Sequence, residues 1–340
     1  MDQKSFHGVD IGGILGIQGV KRYGVSIAVA NGDSVETFCL GTGRFGKNYP
    51  VNPDMLFQAG SVSKPVFAAT LLRYADKGII DLDADISGVI SDFVDFPLTF
   101  SALLSHTAGF NVHGFPGYRA RHKLLSLEDV LNGAGNTPMV CRTLPYGQQY
   151  SYSGGGITLA ELAFTRITGT TLQDAFAQEI AAPLGLTRSG FFQPLDEDRI
   201  DNAAFGGQLG IWEDPRHGYH YYPEHAAAGL WSTPAELVKI GISLSRSFRE
   251  GALLSKEAAV RMMTPVMNHY GLCVECAANT GLHMGVNAGF LTFLKFFLTE
   301  DFCVAAMTNK SGLLSTKMIG KLAEAGNRLF ENKKIKTSCT

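Results

Sequence analysis

Ser61 and Lys64 stand three residues apart in QAGSVSKP (58–65), with Pro65 directly after the lysine. A serine hydroxyl is a poor nucleophile because its proton must leave as it attacks, and a base within reach removes that obstacle. Residues three apart share one face of a helix, so Ser61 and Lys64 are expected to point into one cavity. An ordinary lysine, with a pKa near about 10.4, is protonated and accepts nothing. Desolvation or a neighbouring cation lowers that value and frees the amine. Pro65 fits only near a helix start. That puts Ser61 at the helix mouth, where backbone N–H groups face developing negative charge. S-x-x-K alone also arises by accident on solvated helices, so the chemistry rests on what else the chain supplies.

Two other stretches supply it. In PYGQQYSYSGGGI (145–157), Tyr152-Ser153-Gly154 lies at a helix entry in a glycine-rich turn. A phenol there relays a proton if its hydroxyl meets Ser61 and Lys64; otherwise it is a core tyrosine before a turn. In HMGV (283–286), a strand-like stretch carries His283 beside Gly285. A glycine inside a strand often marks close approach of another molecule to the backbone. His283 is therefore a candidate hydrogen-bond partner for a substrate or leaving group, set against the plain reading of a structural histidine.

The elements that must position these residues are legible. VSIAVA (25–30) and SVETFCL (34–40) flank an Asn31-Gly32 turn and predict a hairpin. Val62, Val66, Ala69 and Leu72 recur at helical spacing, and Gly78 is placed to stop that helix. TFSALLSH (99–106), LSLEDVLNGA (125–134), GITLAELAFTRITG (156–169) and TLQDAFAQEIAAPLG (171–185) read as helices. Thr233-Pro234-Ala235-Glu236 reads as a capped helix start. HYGLCVEC (269–276), GLHMG (281–285), FLTFLKFFL (290–298) and FCVAAMTN (302–309) read as strands, and an amphipathic helix is expected from about Ser315 to Phe330. The predicted class is α/β, more closely α+β. One antiparallel sheet is built from both chain ends (1–80 plus 265–335) and flanked by helices. A mostly helical region (81–264) is inserted, with the site between the two.

Composition narrows the function. The chain has 340 residues, 45% hydrophobic and 18% charged, which suits a sizeable core and argues against disorder. Net charge is −2, with no long basic run until Lys333-Lys334-Ile335-Lys336, read as a frayed tail. No nucleic-acid footprint is expected. Six cysteines are scattered, and Cys273-x-x-Cys276 has no second pair at zinc spacing, so both read as small apolar residues of a strand. HGYHYYPEH (217–225) has histidines without an i, i+4 pair and reads as an aromatic rim rather than a metal site. The first 24 residues make a poor signal peptide, broken by Asp10 and several glycines. The run 290–298 is too short to span a bilayer. A soluble, cytoplasmic protein without metal or cofactor is expected, with no nucleic-acid or membrane partner.

The order S-x-x-K, Y-S-x, H-x-G resembles the serine β-lactamase and penicillin-binding-protein superfamily, in the branch of class C β-lactamases and their esterase and peptidase relatives. FQAGSVSKPVFAATLLRYADKGIIDLDADI (57–86), LLSHTAGF (103–110) and AAGLWSTPAELVKIG (227–241) are similar too, so the likeness spans about residues 20 to 330. The resemblance implies a β-lactamase/transpeptidase-like fold and an acyl-enzyme on Ser61. It implies shared general-base and general-acid work for Lys64 and Tyr152, and an oxyanion hole from the amides of Ser61 and Val286. His283, Gly285, Val286 and Gly154 fall at its substrate-binding positions. In LLSHTAGF it implies that His106 holds a turn near the site.

Two departures bear on substrate. The second motif usually ends in asparagine, whose amide binds a β-lactam's acylamide, and here it ends in Gly154. The third motif usually starts with lysine, and His283 carries charge only part of the time near neutral pH. Both point away from efficient β-lactam hydrolysis. The expectation is hydrolysis of a small ester or amide, with D-amino-acid peptidase and weak β-lactamase activity open. The alternative is a binding or sensor module that has lost turnover.

Overall fold

The computed structural model describes residues 5–15, 23–44, 47–119, 124–208, 218–311 and 315–338. His217, Cys339 and the side chains of Lys333, Lys334 and Lys336 lie outside what is described. The centre is a six-stranded, wholly antiparallel sheet. Its strand order is Glu275–Ala277, Thr280–Asn287, Phe290–Phe297, Phe302–Thr308, Gly24–Asn31, Ser34–Gly41. The N-terminal hairpin thus closes against the last strand, with Phe302 opposite Asn31 and Thr308 opposite Val25. The sheet expected from both chain ends is the one observed.

Both faces of the sheet are covered. Cys303, Ala305 and Met307 belong to the main core, while Phe302, Val304 and Ala306 belong to a second cluster with Ala325 and Leu329. Alternate residues of one strand therefore meet different layers, which is why these runs are apolar throughout. The helix Ser315–Ser338 closes the second layer, eight residues longer than expected. The helix Pro234–Glu250 lies on the main-core face. Thr233 caps it by accepting from the Glu236 amide at 3.2 Å. Glu236 does not fold back as a capping-box partner. Its carboxylate accepts from the amides of Thr187, Arg188 and Ser189 at 2.6–2.9 Å and so ties down that loop.

One predicted strand is mostly absent. In 269–276 only Glu275 and Cys276 join the sheet, in the strand Glu275–Ala277. Asn268, His269 and Cys273 have φ of 48°, 60° and 59°, a left-handed conformation that breaks a strand. Cys276 is a strand residue as expected, but Cys273 sits in a turn. Its amide donates to the Leu104 carbonyl at 2.8 Å and its side chain is buried. The five described cysteines are free thiols, and no described cluster of three ligands is arranged to hold a metal ion. No described helix is long and apolar enough to cross a membrane.

Candidate active site

The chain enters the site through a short 3₁₀ turn, Gly60–Val62, that runs straight into the helix Ser63–Asp76. Pro65 lies in the first turn of that helix, where its missing N–H costs nothing. Gly60 has φ of 54°, and a Cβ there would sit 2.8 Å from the Val286 amide nitrogen. The Thr280–Asn287 strand therefore packs backbone to backbone against the turn. Lys64 is only 2% exposed, and its Nζ donates to Ser61 Oγ at 3.0 Å and to the Ala227 carbonyl at 2.8 Å. Burial draws its pKa down to about 7, opposed by the neighbouring Cys273 thiol. Near neutrality a large share of the amine is uncharged.

Tyr152 arrives from the turn before the helix Gly154–Thr168, which Ser153 caps by accepting from the Gly156 amide at 2.9 Å. Tyr152 lines a cavity together with Ser61, and Lys64 Nζ lies 5.0 Å from its ring centroid. Burial pushes this phenol well above its usual range, against a smaller opposing effect of the Ser61 side chain. His106, at φ 57°, holds the turn: its Nδ1 accepts from the Ser153 amide at 3.2 Å and its carbonyl from the Ser151 amide at 2.8 Å. Burial keeps this imidazole neutral, with Lys64 adding to the effect.

His283 lines the same cavity but is fully engaged. Its Nδ1 lies 2.9 Å from the Met284 carbonyl, which can only accept, so Nδ1 carries the proton. Nε2 then accepts from the Tyr270 hydroxyl at 3.0 Å. Burial, reinforced by Lys64, lowers the His283 pKa to about 3. The ring is neutral, and neither nitrogen is left over for a ligand. Gly154 is not open either. A Cβ there would lie 2.9 Å from the Phe115 ring and 3.2 Å from the His113 carbonyl oxygen. Phe115 occupies the space an asparagine side chain would need.

The cavity measures about 670 Å³. Ser61 and Tyr152 form its floor, Phe115, Pro116, Tyr150 and Tyr270 supply aromatic and apolar walls, and Met284 and Val286 are exposed along one edge. Sequence reasoning missed Tyr270, Phe115, Glu275 and the Ala227 carbonyl. None carries a local signal, because each is brought to Ser61 by the tertiary packing of a segment far from it in the chain. In HGYHYYPEH, His220 Nδ1 lies 2.8 Å from the Pro116 carbonyl, Tyr221 stacks on Tyr118, and the Tyr222 hydroxyl accepts from the Ala288 amide at 2.9 Å. That stretch is a buttress beside the site.

Behind Lys64 lies a second group of buried acids. Glu161 Oε2 accepts from the Ala226 amide at 2.8 Å, one residue before the carbonyl that holds Lys64. Both carboxylate oxygens of Glu224 are buried without a hydrogen-bond partner. Burial raises both acids to about 8, so each is largely protonated near neutrality.

Similar proteins identify the family. The beta-lactamase family model matches residues 17–325. Penicillin-binding protein 4* of Bacillus subtilis is 24% identical over 191 residues, 54% of this chain and 41% of its own. Esterase EstB of Burkholderia gladioli is 26% identical over 184 residues, 49% of this chain and 46% of its own. The chain thus spans about half or less of the length of these two relatives. The D-amino acid amidase of Ochrobactrum anthropi SV3, in complex with L-phenylalanine amide, superimposes with a TM-score of 0.78 at 20% identity. That match covers 97% of this chain and 98% of the amidase. A penicillin-binding protein from Bacillus halodurans gives 0.73 at 20% identity, over 94% of this chain and 99% of its own. A family match over nine-tenths of the sequence, on a fold shared along nearly its whole length with these structures, settles the assignment: the chain belongs to the beta-lactamase family.

Proposed function

We propose that the protein is a serine hydrolase that cleaves a small ester or amide through an acyl-enzyme on Ser61. The observation that carries this is the hydrogen bond of a buried, largely neutral Lys64 amine to Ser61 Oγ, in a cavity whose wall Ser61 shares with Tyr152. Ser61 Oγ attacks the carbonyl carbon and its proton passes to Lys64 Nζ. The Ala227 carbonyl fixes that amine. The amides of Ser61 and Val286 receive the carbonyl oxygen as it becomes negative. In support, the site of a Gly60 Cβ lies beside the Val286 nitrogen and that of a Gly285 Cβ 3.1 Å from the Ser61 nitrogen, so the two backbone segments that carry these donors are packed against each other.

Tyr152 holds its proton at neutral pH, so it serves as the acid. It protonates the leaving oxygen or nitrogen and recovers a proton from the lysine. A water then attacks the acyl carbon as its proton passes to the same pair, the bond to Ser61 Oγ breaks, the acyl group leaves as a carboxylic acid, and Oγ takes that proton back. None of these steps calls on a metal or cofactor. His283 and Gly154 are not direct substrate ligands in this reading: His283 acts by fixing Tyr270, and Gly154 by admitting Phe115. Phe115, filling the place of an asparagine side chain, leaves no amide to bind a β-lactam's acylamide and so favours other esters and amides. The esterase and amidase among the similar proteins are consistent with that preference.

Intact-protein mass spectrometry after incubation with a fluorophosphonate tests the reading. One adduct on Ser61, absent from Ser61→Ala, together with loss of p-nitrophenyl ester turnover in that variant, is expected. A folded Ser61→Ala protein with an unchanged rate removes Ser61 from the chemistry and leaves the binding-module alternative.

A further inference from the structure

Among the described residues, the cavity wall has one formally charged residue. Glu275 stands in the short strand Glu275–Ala277, opposite Leu282, and lines the cavity with Tyr150 and Tyr270. Its negative charge reaches those neighbours, since it helps raise both phenols, behind the larger effect of their burial. No described hydrogen bond or ion pair engages its carboxylate. Among the described residues, no lysine or arginine lines the cavity. His113 and His283 line it too, and burial, with Lys64 adding to the effect, lowers the pKa of both imidazoles. Lys64 itself sits buried behind the serine. The space in front of Ser61 is therefore negative on one side and aromatic on the others.

We propose that Glu275, with the Tyr150 ring beside it, is a subsite for a cationic group, and that the substrate is an ester or amide carrying an alkylammonium. A carboxylate attracts a cation most where water is partly excluded. An aromatic face adds attraction for an ammonium whose hydration is weak, as in a quaternary or substituted amine. The same arrangement repels a carboxylate. Anionic substrates, β-lactams with their free carboxylate among them, meet one negative wall and no compensating cation. The class rests on the acyl-enzyme reading, but the subsite does not.

The test separates the two. Ser61→Ala protein cannot form an acyl-enzyme, so binding is read without turnover. Calorimetry compares the p-nitrophenyl esters of trimethylammoniobutanoic acid, of its tert-butyl isostere and of glutaric acid. The cationic ester should bind about tenfold more tightly than the neutral isostere, with the glutarate half-ester weakest. Adding Glu275→Gln should bring the cationic and neutral esters within about twofold of each other, and Glu275→Lys should reverse the order in favour of the glutarate. Raising ionic strength should shrink the preference in the unmodified wall. Equal binding of all three esters with Glu275 present, or a preference that survives both substitutions, overturns the subsite. Either result leaves the reactivity of Ser61 untouched. An inert Ser61 would likewise leave a measured cation preference standing.

Discussion

Gly60 and Gly285 face each other across a gap with no room for a side chain. A Cβ on Gly285 would run into the Ala59 carbonyl oxygen, and one on Gly60 would press on the Val286 amide. This contact sets how near the two proposed oxyanion donors come to Ser61. Gly285→Ala must push the Thr280–Asn287 strand away from the 3₁₀ turn. We expect the kcat/KM for a p-nitrophenyl ester to fall at least about a hundredfold, the size of losing one such donor. Circular dichroism should show that the fold persists. A variant with the native rate and a native Tm would show that the close approach plays no part in catalysis.

Lys64 accepts a proton only when neutral. Its pKa is lowered to about 7 by burial, so the rate of acylation should rise as pH increases through about 7 and level off above it. Lys64→Ala should slow acylation by about a hundredfold or more and abolish that limb. Stopped-flow release of p-nitrophenol across pH 5.5 to 9, with ranges set roughly by the shifted value, reads both. An acid limb that persists in Lys64→Ala would assign the base to another group.

His283 and Tyr270 form one unit, since the phenol donates to the imidazole at 3.0 Å. If the histidine acts only by fixing Tyr270, then His283→Leu and Tyr270→Phe should each lower kcat/KM by about tenfold. The double variant should be no worse than either alone, the mark of coupled residues. Because the ring stays neutral down to about pH 3, no further limb from His283 should appear between roughly pH 4 and 8. Additive losses in the double variant would separate the two residues.

What the sequence made legible was local. Ser61 and Lys64 meet because helical spacing is a property of consecutive residues, and Pro65 limits where that helix can begin. The hairpin around Asn31-Gly32 and the capped start at Thr233 are equally local, and both are present. Long-range packing was not readable. His283 was read as a ligand because nothing in H-M-G announces that Tyr270, thirteen residues earlier, takes its free nitrogen. Gly154 was read as a missing side chain, whereas Phe115 already fills its place. The stretch 269–276 has strand-like composition, but left-handed residues at Asn268, His269 and Cys273 turn it into the loop that delivers Tyr270 and Glu275.

Glu161 and Glu224 yield a prediction of opposite pH sense to that for Lys64. Burial raises both carboxyls to about 8 in the folded state, while the unfolded chain titrates near about 4.3. Between those values the folded protein binds more protons than the unfolded one, so stability is full at low pH and is lost as pH rises through about 8. The lowered Lys64 value acts the other way, adding stability as pH rises above about 7, and the lowered His106, His113, His225 and His283 values add stability as pH rises toward the unfolded histidine value of about 6.5. The acids are therefore isolated by comparing variants. The Tm of the native chain minus that of the Glu161→Gln, Glu224→Gln variant should fall from about pH 5 to about pH 8. Glutamine keeps an acceptor for the Ala226 amide, so Glu161→Gln should leave acylation within about twofold. Glu161→Leu strands that buried donor, loosens the Ala227 carbonyl one residue on, and should slow acylation by about tenfold with KM little changed. Equal rates in the Gln and Leu variants would mean that the Ala226 hydrogen bond does not steer Lys64. A Tm difference that stays constant over that range would mean that these acids are not protonated in the folded protein.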